Sequence, residues 1–168
     1  MTLSMYDISV PSFNRSLKGL RNVLDKAEAH VTAKKLDPNA LLLARLYPDM
    51  FHTIRQVQTA TSMIHWGCAL VVGLERPDLP ATEATFADLQ TRIASTVEYV
   101  KGFGPDRLNG TETNKVELKF PGRTMEFTGH SFMLEFIIPN LYFHTAMTYA
   151  IMRHSGVEVG KQDFLGRG

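Results

Sequence analysis

Six histidines are the residues of this sequence best suited to chemistry, because imidazole can bind metals and transfer protons near neutral pH. Two of them, His144 and His154, lie in a strongly apolar stretch near the C-terminus. On a helix, residues with this spacing are offset by about 80° and stand about 15 Å apart along the axis. Metal–nitrogen bonds are about 2 Å long, so one ion cannot bridge the two rings. His144 and His154 are therefore not predicted to form a metal site together.

The other histidines are also poorly spaced for a metal site on one helix. Such a site needs histidines three or four positions apart, and neither His-x-x-His nor His-x-x-x-His occurs in the sequence. His52 and His65 point to different sides of their predicted helix. His30 and His130 are predicted to be exposed at helix ends. Any metal would need ligands from several helices, with His144 as the first candidate.

His144 is predicted to face inward, because its neighbours on one helical stripe are mostly apolar. These neighbours are Met133, Ile137, Asn140 and Ile151. Asn140 precedes His144 by one turn and is placed to hydrogen-bond the ring and fix its tautomer. The simpler interpretation is a core histidine satisfied by a neighbour, and the alternative is a ligand-binding residue.

The predicted second helix adds polar residues near the same interior. They are Asp49, His52, Thr53 and Gln56. Buried polar groups need hydrogen-bond partners, so these residues either line a wet cavity or lie at a solvated edge of the helices. Cys68 lies on the apolar side of this helix and is predicted to be inert core.

Four helices and one hairpin are predicted to position these residues. The first helix has an apolar stripe at spacings of four and three, formed by Phe13, Leu17, Leu20, Leu24, Ala27 and Val31. The second has a start signal at Asp37-Pro38, repeated at Pro48-Asp49, where the helix is predicted to kink or restart. Its seam recurs every seven residues, at Leu43, Met50, Val57, Ile64 and Val71, which predicts bundle packing.

The second half of the chain continues this pattern. A capping box of Thr85 and Asp88 begins a third helix that ends at Gly102. VELKF and TMEF alternate around a proline-glycine turn and predict a β-hairpin. The final helix is predicted from about residue 129 to 155 and is apolar nearly all round, so it should be the most buried. Pro139 is predicted to kink it, and the tail from residue 157 is predicted to lie against the helices.

Length and charge limit the class of protein. The 168 residues fit one domain spanning residues 1–168, and a formal net charge of +1 provides no basic field for nucleic acid. No apolar run approaches the ~20 residues that span a bilayer, and the N-terminus lacks a signal-peptide pattern. The one cysteine excludes an internal disulfide and fits a reducing compartment. We therefore expect a cytoplasmic protein that binds neither nucleic acid nor membranes.

The stretches PDMF, PN-x-YFH and GVEVGKQDFLG, with this order of elements, resemble a bacterial family of unknown function, DUF1993, in the DinB/YfiT-like superfamily. The resemblance runs from Met5 to Gly166. It implies an all-α fold, namely a DinB-like four-helix bundle with a small hairpin between its third and fourth helices, and usually a homodimer. Many members of the superfamily bind a divalent metal with three histidines, and some are thiol-dependent transferases or isomerases.

The sequence departs from the superfamily's metal-site pattern. No second histidine stands four residues from His144, and Glu135 lies on the opposite side of an unkinked helix. The pocket candidates are therefore Asp49, His52, Gln56, Glu135, Asn140 and His144. We expect a polar pocket that binds a small ligand, with a degenerate metal site and no cofactor. The alternative is a divalent-metal enzyme of the thiol-transfer kind, with His144 and Asp49, Gln56 or Glu135 as ligands, a set that suits Mn, Mg or Fe.

Overall fold

The computed structural model of the chain describes residues 4–167. In this part the chain is mostly helical and has one two-stranded hairpin, as the sequence predicted. The elements in chain order are α1 (Met5–Lys34), α2 (Asn39–Leu42), α3 (Thr53–Val71), α4 (Phe86–Lys101), α5 (Pro105–Leu108), β1 (Lys115–Phe120), β2 (Arg123–Thr128), α6 (Gly129–Ser131), a π-helical segment (Phe132–Ile137), α7 (Ile138–His154) and α8 (Lys161–Phe164).

The four long helices surround one hydrophobic core. Helix α3 packs against α4 and α7, and α1 packs against the same two helices from the other side. The predicted apolar stripe of α1 is buried along its whole length, from Phe13 to Val31. No helix between residues 4 and 167 is long and apolar enough to cross a membrane.

The second helix begins later than the sequence suggested. Residues 43–52 form an irregular segment, and Leu43, which was placed on the helical seam, is 53% exposed. Pro48 disfavours helix at the residue before it and has no N–H to donate. The chain instead turns back, where the Thr53 hydroxyl donates to the carbonyl of Leu41 at 2.7 Å. The predicted seven-residue apolar repeat is confirmed only within α3, where Val57, Ile64 and Val71 are fully buried.

The hairpin and the final helix lie where they were predicted. Strands β1 and β2 are antiparallel, with Val116 opposite Phe127 and Leu118 opposite Met125. The hairpin turns at Gly122, whose φ of +79° suits glycine. The final helical stretch ends at His154, with Ser155 as its C-cap, and Gly156 follows with φ +87°.

Pro139 is accommodated by a π-helical turn, which the sequence did not predict. The π-helical segment ends at Ile137, two residues before Pro139, and this wider turn accommodates a residue that has no backbone N–H to donate. The side-chain amide of Asn140 donates to the carbonyl of Phe136 at 2.7 Å. The prediction that the final helix is the most buried was wrong, because most residues of α3 are buried and fewer than half of those of α7 are.

The C-terminal tail packs against α1, as predicted. Val157 and Val159 are buried in the core. In α8, Asp163 forms an ion pair with Lys26 of α1 at 2.8 Å. Beside it, Gly19 of α1 allows the Phe164 carbonyl to approach the helix backbone, since a Cβ at this position would overlap that oxygen.

Candidate functional site

His144 and Gln56 form a buried polar pair between α7 and α3. His144 is 9% exposed, and its Nδ1 atom lies 2.7 Å from Oε1 of Gln56, which is also buried. Gln56 is held in turn by its Nε2 group, which donates to the carbonyl of Phe51 at 3.0 Å. The sequence therefore placed His144 correctly in the interior, and the structure brings it to Gln56, one of the polar residues that the sequence analysis placed near the same interior.

This hydrogen-bond chain determines the tautomer of His144. The Phe51 carbonyl can only accept a hydrogen bond, so the NH₂ group of Gln56 faces it. The amide oxygen of Gln56 then faces the imidazole and needs a donor. Nδ1 of His144 must carry the proton, and the lone pair of the neutral ring lies on Nε2.

Two partly exposed aromatic rings cover the imidazole. Phe51 lies nearly parallel to it, with ring centroids 6.2 Å apart and 15° between the planes. Phe143 meets it edge-on, with centroids 5.3 Å apart. The Phe51 and Phe143 side chains are 44% and 50% exposed. The polar pair is therefore flanked by two aromatic side chains that are partly exposed to solvent.

The charges around this pair are positive. Burial, and then the charge of Arg55, lowers the pKa of His144 to about 4, so the ring is neutral at pH 7. Burial and the charges of Arg45 and Arg55 also lower the pKa of His52. Helix α3 begins here without an acidic residue in its first turn, so its dipole adds to the same field. The surroundings favour an anion over a cation.

His52 has a structural role at the start of α3. It is the N-cap residue, and its Nδ1 accepts a hydrogen bond from the backbone N–H of Arg55 at 3.3 Å. The guanidinium of Arg55 lies over the Phe51 ring, with its Cζ atom 5.6 Å from the ring centroid. His52 thus adjoins Phe51 in the chain, and no described hydrogen bond joins it to His144.

Three of the pocket candidates lie elsewhere or have other partners. Asp49 is exposed in the segment before α3, because the helix on which the sequence placed it begins only at Thr53. Glu135 is exposed on the π-helical segment. Asn140 does not contact the imidazole as proposed, since its amide is bound to the Phe136 carbonyl beside the π-helical turn.

The donor set at His144 does not fit the divalent metal that the superfamily resemblance implies. Within residues 4–167 no three His, Cys, Asp or Glu side chains are grouped to hold an ion. The oxygen of Gln56 already accepts the His144 proton, and the positive charge of Arg55 acts on the ring to lower its pKa. A divalent cation also needs anionic or several neutral ligands to offset its lost hydration.

A second polar region, between α3 and α4, was missed by the sequence analysis. It borders a cavity of about 420 Å³ whose lining includes His65, Glu83, Arg92 and Thr96. Arg92 and Glu83 form an ion pair at 2.8 Å, with side chains that are 8% and 12% exposed. The sequence did contain a signal for this region, because polar residues recur every three or four positions on both helices. These residues are Gln58, Thr61 and His65 on α3, and Arg92, Thr96 and Tyr99 on α4.

The polar groups of this second region satisfy one another. Arg92 donates from Nε to the Thr61 hydroxyl and from Nη1 to the Pro80 carbonyl, both at 2.7 Å. Glu83 also accepts from Nε2 of Gln58 at 2.8 Å. Burial acts to raise the pKa of Glu83, but hydrogen bonds from Arg92 and Gln58 hold it below its usual value. The network therefore fastens the segment between α3 and α4 onto both helices.

His65 belongs to this network and is neutral at pH 7. Its ring stacks on Tyr99 with centroids 4.0 Å apart, and burial followed by the charge of Arg92 lowers its pKa to about 4. The Thr96 hydroxyl donates to the Arg92 carbonyl, so it accepts from Nε2–H of His65 at 3.3 Å. Cys68, nearby on α3, is fully buried, which raises its pKa to about 12, so it is inert core as predicted.

Comparison with known proteins agrees with the resemblance seen in the sequence. The family described as domain of unknown function (DUF1993) matches residues 5–165. Solved structures similar to the chain include that of a DinB family member protein from Shewanella denitrificans, with 41% identity and a TM-score of 0.85. This match covers 95% of the present chain and 90% of the other. No curated protein is significantly similar to the chain. The chain therefore belongs to the DUF1993 family and is a DinB-like protein.

Proposed function

We propose that the chain is a single cytoplasmic domain in which α1, α3, α4 and α7 form a DinB-like four-helix bundle. We propose further that it binds a small molecule at His144 without a metal. The observation that carries this proposal is the 2.7 Å contact between Nδ1 of His144 and Oε1 of Gln56. It leaves Nε2 of a neutral imidazole with a lone pair, which can accept a proton or a hydrogen bond.

The chemistry around the ring limits the ligand. The lone pair on Nε2 requires a donor, such as a hydroxyl group. Arg45 and Arg55 act on this region with positive charge, which favours a carboxylate or another anion. Phe51 and Phe143 offer ring faces and edges to a planar group. A small aromatic acid with a hydroxyl group satisfies all three requirements.

Titration with 4-hydroxybenzoate, followed by the ¹⁵N and ¹H signals of the histidine rings, tests the proposal. We expect saturable shifts of the His144 signals, weaker binding of benzoate, which lacks the donor, and weaker binding of the methyl ester, which lacks the charge. His144→Leu should abolish the binding, followed in this variant by the backbone amide signals of Phe51 and Gln56 because the reporting ring is removed. His154→Ala is the matched control, because His154 is exposed in the last turn of α7, and it should bind normally.

Elemental analysis of protein purified without chelator tests the metal-dependent alternative. We expect no stoichiometric divalent ion. One Mn, Fe or Zn ion per chain that is lost from His144→Leu but retained by His154→Ala would overturn the proposal and support a metal-dependent enzyme. Failure of all three aromatic probes to perturb His144 at millimolar concentration would overturn the ligand class.

We also propose a homodimer. The support is the apolar character of the final helical stretch, which leaves Leu134 and Tyr142 exposed in addition to Phe143 at the His144 site. A second copy that packs against Leu134 and Tyr142 would remove this surface from water. Sedimentation velocity at micromolar concentration should give the mass of two chains, and a monomer there would contradict the proposal.

A further inference from the structure

A small cavity lies where α8 packs against α1 and α7, and His144 is not among its lining residues. Its volume is about 160 Å³, and its lining is formed by Arg15, Ser16, Tyr142, Thr145, Phe164 and Leu165. Two contacts hold α8 in place over it, the ion pair between Lys26 and Asp163 and the close approach of the Phe164 carbonyl to Gly19. The cavity is therefore built by the packing of three elements.

Ser16 supplies a buried hydroxyl that the protein leaves unsatisfied. Its side chain is 5% exposed, and its Oγ atom has no hydrogen-bond partner within the described part of the chain. Buried helical hydroxyls usually donate to the carbonyl one turn earlier, as Ser9 does to Met5 at 2.6 Å and Thr145 to Leu141 at 3.0 Å. Because buried polar groups are nearly always paired, and Ser16 lines the cavity, the partner of its hydroxyl is expected from the cavity side.

The rest of the lining divides into a polar and an apolar part. Arg15 brings a positive charge, and Thr145 brings a hydroxyl whose proton is already used within its own helix. Phe164 and Leu165 bring apolar surface from the C-terminal segment. No acidic side chain is part of this lining as the structure describes it. This combination suits a molecule with an anionic end and a short hydrocarbon end.

We propose that this cavity binds a short-chain carboxylate, whose oxygens pair with Arg15 and accept from the Ser16 hydroxyl after rotation about the serine χ1, while its chain contacts Phe164 and Leu165. The volume agrees with this class, since one water occupies about 30 Å³ of liquid and the cavity equals about five such volumes. That space holds a carboxylate of about four carbons. Inorganic phosphate would leave the apolar part of the lining without contacts.

Titration of the full chain with sodium butyrate, followed by backbone amide NMR, tests the inference. We expect saturable shifts at residues lining the cavity, and no comparable shifts with butylamine or inorganic phosphate. Arg15→Gln and Ser16→Ala should each weaken butyrate binding about tenfold, because each removes a hydrogen bond to a charged group. Lys18→Gln is the matched control, because it removes a neighbouring positive charge that does not line this cavity, and it should leave binding unchanged.

Three results would overturn the inference. They are the absence of saturable shifts at tens of millimolar butyrate, equal binding of phosphate, and butyrate binding that survives Arg15→Gln in a variant with the parent's amide spectrum. A dry or water-filled cavity would give the first of these. Since the histidine rings report the His144 site and these amides report the α8 cavity, failure at one site is distinguishable from failure at the other.

Discussion

His144 on α7 donates a hydrogen bond from Nδ1 to the amide oxygen of Gln56 on α3, over 2.7 Å. His65, further along α3, has the opposite arrangement, because its Nε2–H donates to the hydroxyl of Thr96. The two buried imidazoles are thus neutral, and each is fixed in a different tautomer by its neighbours. The two rings also differ in their aromatic neighbours, since Phe51 beside His144 is exposed and Tyr99 beside His65 is half-buried.

The first prediction is that the two tautomers can be observed directly. At pH 7, long-range ¹H–¹⁵N correlation spectra should show His144 protonated on Nδ1 and His65 protonated on Nε2. Gln56→Leu removes the acceptor of His144 and should release its tautomer while leaving that of His65 unchanged. An Nε2-protonated His144 in the parent protein would contradict the hydrogen-bond chain through Gln56.

The second prediction concerns the stability of variants at His144. His144→Leu should lower the free energy of unfolding by ~1–3 kcal/mol, because the oxygen of Gln56 is left buried without a donor. His144→Asn can restore a donor and should recover part of this loss. His154→Ala, in the exposed last turn, should cost at most about 1 kcal/mol. Urea unfolding of the three variants measures these differences, and a fully stable His144→Leu would exclude a structural contribution.

The sequence was sufficient for most of the fold because apolar spacing determines which face of a helix is buried. The stripe of α1, the capping box at Thr85 and Asp88, and the hairpin were all predicted and confirmed. The start of α3 was misplaced, because heptad spacing continues formally through Pro48 although the backbone there cannot remain helical. The π-helical turn before Pro139 was missed for a related reason, since periodicity does not reveal how a helix adapts to a proline.

The site could be predicted only where the neighbours of a side chain on its own helix determine its environment. The burial of His144 followed from its neighbours on α7, and Gln56 was named among the polar residues near the same interior. Asn140 was assigned to the wrong partner. Its side-chain amide donates to the carbonyl of Phe136, which only the π-helical geometry makes available. The Arg92 network was missed although its helical residues recur at regular spacing, because Glu83 and the Pro80 carbonyl belong to an irregular segment whose contacts have no fixed spacing along the chain.

The third prediction is a loss of stability in mild acid. The pKa values of His65 and His144 are about 4 in the folded chain, against an ordinary value of 6.5. Between these values the unfolded chain binds protons that the native chain does not, so the free energy of unfolding falls as pH decreases from about 6.5 towards 4. Above pH 6.5 the imidazoles are neutral in both states, so the free energy of unfolding keeps its full value with respect to these two groups. The slope should be at most about 1.4 kcal/mol per pH unit for each histidine.

Urea unfolding at a series of pH values measures this slope. His144→Leu should make the dependence shallower, whereas His154→Ala should leave it unchanged. Carboxyl groups with lowered pKa values, such as Glu83 and Asp163, also lose stabilisation in acid, but at lower pH than the histidines. A free energy of unfolding that stays constant from pH 7 to pH 5 would contradict neutral, buried imidazoles.

The fourth prediction concerns the buried ion pair between Arg92 and Glu83. Glu83→Ala leaves the guanidinium buried beside uncharged groups, which costs ~3–5 kcal/mol when a pair is fully buried. We expect the lower end of that range, because Arg92 keeps its bonds to Thr61 and Pro80. The control is Glu98→Ala, which breaks the exposed pair with Lys101 and should cost no more than about 0.5 kcal/mol. Equal effects of the two variants in thermal unfolding would show that the network does not hold the segment.

The last prediction concerns the attachment of α8. In Gly19→Ala the new methyl group would overlap the carbonyl oxygen of Phe164, and the backbone of α8 can yield only by moving away from α1. Overpacking of this kind costs ~1–3 kcal/mol, while alanine gains up to about 1 kcal/mol over glycine within a helix. We therefore expect α8 to detach, with rapid hydrogen exchange at residues 161–166, while α1 remains helical. Gly160→Ala is the matched control, because its Cβ would lie 4.0 Å from the nearest described atom, on Asp163. Gly160→Ala should keep slow exchange in α8, and a Gly19→Ala variant that does the same would contradict the close contact between Gly19 and Phe164.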